Sequence, residues 1–133
     1  MNKKKIEIHI RKESDLMRAV LQAGQSAAAL GFSETASCMV ATAVSELSRN
    51  ILVYAGVGQV YFNEINDNGA KGIEVIARDQ GPGIEDIDAA MQEHFSTGGS
   101  LGLGLPGVRR LMDEFEIGAS PGRGTWIKVK KWI

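Results

Sequence analysis

Glu46 and Asn50 are the residues whose types and spacing best suit chemistry. They stand four residues apart, so on a helix their side chains stack on adjacent turns. A glutamate can take a proton from an attacking hydroxyl or water. An asparagine oxygen can hold Mg2+, which prefers oxygen ligands and keeps its own waters. At about 100° per residue, Ala36, Val40, Ala43, Leu47, Ile51 and Tyr54 form one apolar stripe. Asn50 projects inside that stripe and Glu46 lies at its border. Polar groups on a core-facing edge are costly unless something satisfies them. Taken alone, the helix fits either a polar pair bonded to a loop or a site that opens onto it. Arg49 and Ser45 flank the pair, and Arg49 reads as a surface or partner-contact residue.

Asp79 ends an apolar alternating run and is followed by Gly81-Pro82-Gly83. Such a segment is either a plain turn or a place where a flat ligand approaches the backbone. In the second case the acceptor-only carboxylate of Asp79 suits an exocyclic amine such as that of adenine. A longer glycine loop, with Gly98, Gly99, Gly102, Leu103, Gly104 and Leu105, leads into Pro106 and a helical pattern. Free N–H groups at a glycine-rich helix start bind phosphate, and the competing reading is a solvent loop. Thr125 follows the last glycine turn and offers a hydroxyl near Asp79, directly or through water.

The elements that must position these groups follow from periodicity. Ile6, Ile8 and Ile10 alternate with polar residues, which predicts a half-buried strand. Helices are expected over 14–30, with Ser14 as cap, and over 33–54, then strands over 59–65 and 73–78 around Asn66-Asp67-Asn68-Gly69. A short helix is expected near 87–93, another over 106–115, and final strands over 116–119 and 124–132. Hairpin-linked strands with grouped helices predict an α/β two-layer sandwich: a mixed, mainly antiparallel sheet with helices on one face.

Composition sets the frame. A chain of 133 residues, 44% hydrophobic and 23% charged, suits a single soluble domain over 1–133. The net charge of −1 and the lack of a basic stripe speak against a nucleic-acid partner. No apolar run approaches membrane-spanning length. Cys38 is the only cysteine, which excludes an intrachain disulfide and favours a cytoplasmic setting. Its apolar neighbours place it near the core. His9 and His94 lack metal-ligand spacing, and no P-loop or His-Arg-Asp kinase loop occurs. Trp126 and Trp132 share a strand face with Lys128 and Lys130, either as a contact surface or packed under the first strand.

Ser45-Glu46-Leu47-Ser48-Arg49-Asn50, Asp79-Gln80-Gly81-Pro82-Gly83, the stretch 84–104 and Gly102-Leu103-Gly104-Leu105-Pro106-Gly107, in this order, resemble the motifs of the GHKL ATPases. Within them the chain is similar to small bacterial serine/threonine kinases that act on STAS-domain proteins. The resemblance implies the Bergerat fold, with ATP and Mg2+ as cofactors. It implies Asn50 as Mg2+ ligand, Glu46 as general base and Asp79 at the adenine amine. Gly81 and Gly83 would permit close approach, and Gly102, Leu103, Gly104 and Leu105 would wrap the phosphates. It further implies a stressosome-like STAS partner and, on release, binding to a PP2C-type phosphatase. Alternatives are an anti-sigma factor kinase and a nucleotide-gated binding module without catalysis.

Overall fold

The computed structural model describes residues 5–81, 104–120 and 124–133. The short helix expected near 87–93 lies outside them. Strand β1 (Lys5–Ile10) leads into helices α1 (Glu13–Leu30) and α2 (Glu34–Tyr54). Strands β2 (Gly58–Asp67) and β3 (Ala70–Asp79) follow, then α3 (Gly104–Leu111), β4 (Glu114–Ser120) and β5 (Gly124–Trp132).

The helix starts are capped by different means. Ser33 caps α2, its hydroxyl accepting the Ala36 N–H at 3.1 Å. At α1 the expected cap, Ser14, lies inside the helix. Asp15 serves instead, accepting the N–H groups of Arg11 and Lys12 at 3.0 and 3.2 Å. Both bonds fall on one carboxylate oxygen, whose negative charge is favoured at the positive end of the helix. Gly56, with φ 82°, closes α2. Between β2 and β3, Asn68 (φ 51°) and Gly69 (φ 89°) form a two-residue turn with both residues left-handed, as the Asn-Gly pair predicts.

The strands lie in the order β1-β2-β3-β5-β4, and every described pairing is antiparallel. The two-layer class stands as expected, with no parallel pair among the described residues. One face of the sheet carries Ile8, Val60, Phe62, Val75, Ala77, Ile127 and Val129, all buried. Against it pack Ala19, Ala23 and Ala27 of α1, Val40, Ala43, Val44, Leu47 and Ile51 of α2, and Leu105 and Val108 of α3. The alanine stripe of α1 lets the two long helices approach closely. Each large apolar side chain buried here contributes about 1.5–3 kcal/mol.

The last helix departs from the sequence pattern at both ends. It was expected over 106–115, yet it starts at Gly104 and ends at Leu111, and Phe115 belongs to β4. Pairing with β5, where Phe115 lies opposite Val129, outweighs the helical reading of that segment. Cys38 is exposed rather than near the core, because it sits on the outward side of α2.

Candidate functional site

The site residues lie on α2, at the start of α3 and at the ends of β3 and β5. Glu46 is 3% exposed and Asn50 is half-buried. This reverses the expected depth of the two. The wheel of α2 alone ranks them by the sheet-facing stripe, but α3 also packs on α2 and covers Glu46.

The buried carboxylate has a defined partner. Gly104, the first residue of α3, donates its N–H to Glu46 Oε1 at 3.0 Å, across 58 residues of sequence. Gly104 is buried with φ 55°, a left-handed conformation that glycine adopts at little cost. Leu105, next in the helix, is 4% exposed and anchors the helix start in the core.

Arg49 closes the other flank. Its guanidinium makes a bidentate pair with Glu13 in the first turn of α1, at 2.6 and 2.7 Å. The hydrogen bonds from Arg49 hold the Glu13 carboxyl below its ordinary range. Those same bonds raise Arg49, and the nearby charge of Glu46 adds to the effect. The pair ties α1 to α2 one turn from Glu46, and neither its long-range partner nor its geometry has a signal in the local sequence.

Asp79 stands at the last position of β3, opposite Thr125 of β5 and Gly58 of β2. Its Oδ1 accepts the Gly81 N–H at 2.9 Å. Burial raises its carboxyl above the ordinary aspartate value, while the N–H groups of Gly81 and Thr125 lower it part of the way back. Asp79, Gln80, Gly124 and Thr125 line a cavity of about 150 Å³ that also touches Arg78 and Trp126. A larger one, of about 420 Å³, lies between α1 and the far ends of β2 and β3, away from Asp79 and Glu46.

Three glycines hold this corner together, and two of them were not singled out by the sequence. A side chain on Gly81 would strike Ala55 at 2.6 Å, and one on Gly58 would strike the Arg78 carbonyl at 2.5 Å. At Gly124, with φ 97°, it would collide with the Asp79 carbonyl. Position at strand ends beside Asp79 is the signal that marks Gly58 and Gly124, once the sheet order is known.

Glu46, Gly104 and Leu105 are thus brought together, as are Asp79, Gly81 and Thr125, with Asn50 one turn along α2 from Glu46. Gly83, Gly102 and Leu103 lie outside the described residues. Among those described, no group of three or more His, Cys, Asp or Glu side chains could hold a metal. The donor set still suits Mg2+, which needs only one or two protein oxygens when nucleotide phosphates and water complete its shell. The Asn50 amide offers one such oxygen. No described helix is long and apolar enough to cross a membrane.

Comparison with known proteins shows the family and the fold. The family model described as histidine kinase-like ATPase domain matches residues 10–131. The serine/threonine-protein kinase RsbT of Bacillus subtilis is 47% identical over 95% of this chain and 95% of its own length. An anti-sigma F factor of Caldanaerobacter subterraneus is 37% identical, over 71% of this chain and 68% of its own. The solved structure of the mycobacterial sensor histidine kinase MprB superposes with a TM-score of 0.56 at 18% identity, covering 98% of this chain and 97% of that one, which shows the shared fold. With the fold, the helix of Glu46 and Asn50 and the aspartate–glycine corner in place, the chain belongs to the histidine kinase-like ATPase domain family, as a serine/threonine-protein kinase.

Proposed function

We propose that this kinase transfers the γ-phosphoryl group of ATP to a serine or threonine of a STAS-domain protein, in a cytoplasmic stressosome-like complex. The observation that carries the reading is Glu46: a carboxylate buried one turn from Asn50 and held against the start of α3. Binding alone would not require a carboxylate there.

Mg2+-ATP, when bound, supplies the phosphoryl group and neutralises the charge that develops on it. The protein's work is placement. Asp79 accepts a hydrogen bond from the adenine amine, with Thr125 beside it. Gly81 leaves the backbone open to the ring, and Asn50 would hold the metal through its amide oxygen. The N–H of Leu105, and that of Gly104 once it leaves Glu46, would bind the phosphates. Glu46 orients the substrate hydroxyl and takes its proton as the oxygen attacks.

The test incubates the protein with labelled ATP, Mg2+ and candidate STAS-domain proteins. Glu46→Ala should lower transfer by about 100-fold or more while the variant still binds nucleotide. Asn50→Ala should weaken Mg2+-ATP binding itself. Equal labelling by Glu46→Ala and wild type would remove Glu46 as the base.

On release from that complex the kinase binds and activates a PP2C-type phosphatase, a second role that rests on the resemblance alone. The likeness to anti-sigma F factors supports a second reading, in which the chain binds a sigma factor and phosphorylates its antagonist. Stable capture of a purified RNA-polymerase sigma subunit would favour it.

A further inference from the structure

The hydrogen bond between Gly104 and Glu46 joins two groups to which the kinase reading gives separate tasks. Phosphate recognition needs the Gly104 N–H, and proton transfer needs the Glu46 carboxylate. Here each occupies the other: the N–H donates to Oε1 at 3.0 Å, with both residues buried. The left-handed φ of 55° at Gly104 sets the direction of that N–H. The carboxylate lies at the positive end of α3, where an anion is favoured. Pro106, two residues on, has no N–H to offer in its place.

We propose that a nucleotide phosphate and the Glu46 carboxylate compete for the Gly104 N–H, so that phosphate binding is the event that releases Glu46 to act as base. The inference rests on the kinase reading and deepens it, by naming how that site is regulated. One N–H donates one strong hydrogen bond, and two anions sharing it in a buried place repel each other. A phosphate that takes the donor therefore displaces the carboxylate, which then turns to the substrate hydroxyl. A carboxylate committed to Gly104 is a poorly placed base. Competence for proton transfer thus follows nucleotide binding, and the release of the contact is a cost set against nucleotide affinity.

The competition predicts that removing the base improves binding. Calorimetric titration of wild type, Glu46→Gln and Glu46→Ala with Mg2+ and a non-hydrolysable ATP analogue, and separately with adenosine, provides the test. Glu46→Ala should bind the analogue about tenfold more tightly than wild type, because no charge-assisted hydrogen bond has to be broken. Glu46→Gln keeps a neutral oxygen for Gly104 and should gain less. Adenosine, which carries no phosphate, should bind all three alike. Unchanged or weaker analogue binding in both variants overturns the competition and leaves the contact a helix cap. Equal gains in both variants overturn it too, since they show only relief of charge repulsion. If neither the analogue nor adenosine binds any of the three, the kinase reading itself fails. Should Glu46→Ala not fold, the Gly104 amide proton decides by NMR. In wild type its resonance should move when the analogue is added but not when adenosine is, and a resonance that the analogue leaves unmoved overturns the proposal.

Discussion

Asp79 shows what a half-buried carboxylate costs its own fold. Its carboxyl titrates above the ordinary range because burial disfavours the charge, against the pull of two backbone N–H groups. A raised value in the folded state means the proton is bound more tightly there than in the unfolded chain. The stability this confers is full below the unfolded value and is lost as pH rises through the folded one. At neutral pH the ionised carboxylate is therefore a net burden on folding. Asp79→Asn keeps an oxygen for the Gly81 N–H and removes the charge. Thermal melts should show the variant at least as stable as wild type at pH 7, with the difference vanishing below about pH 4. Nucleotide affinity should fall roughly tenfold or more. A variant clearly less stable than wild type at pH 7 would mean that the charge is compensated by a partner other than these N–H groups.

At the scale of elements, the meeting of β3 and β5 depends on a residue without a side chain. Gly124 begins β5 with φ 97°, and its Cα faces the Asp79 carbonyl too closely for a Cβ. Gly124→Ala combines strain at a positive φ with a backbone clash. Urea denaturation should show a loss on the order of 2–4 kcal/mol, accompanied by weaker nucleotide binding as Asp79 is displaced. A loss under about 0.5 kcal/mol would show that β5 can open without moving β3. The helices teach a related lesson. The period of α2 and its Ser33 cap are legible along the chain, and so is the Asn68-Gly69 turn. The ends of α3 are not, because Phe115 fits a helical pattern equally well and its pairing opposite Val129 is a long-range choice.

For the whole molecule, the chemistry stands on one core shared by sheet and helices. Leu47 is 1% exposed and follows Glu46 directly, so the same turn of α2 fills the core and carries Glu46. Leu47→Ala should cost about 2–5 kcal/mol in chemical denaturation. It should also lower transfer activity at temperatures where the fold is still intact, since α2 loses its seat. Loss of stability without any loss of activity would separate the core from the positioning of Glu46. The Glu13–Arg49 pair adds a lateral tie between α1 and α2, but it lies at the surface and weakens as salt rises.

The sequence alone determined the types of chemistry available and the elements that carry them. Alternation and the 3.6-residue period are local properties, so the strands, the two long helices and the spacing of Glu46 and Asn50 could be read from neighbouring residues. Tertiary structure decided which groups meet. The order β1-β2-β3-β5-β4 sets Asp79 beside Thr125 and Gly124, and the packing of α3 on α2 buries Glu46 deeper than Asn50. The bond from Gly104 to Glu46 spans 58 residues. Such a contact depends on how two elements close on each other in space, which no periodicity along the chain records.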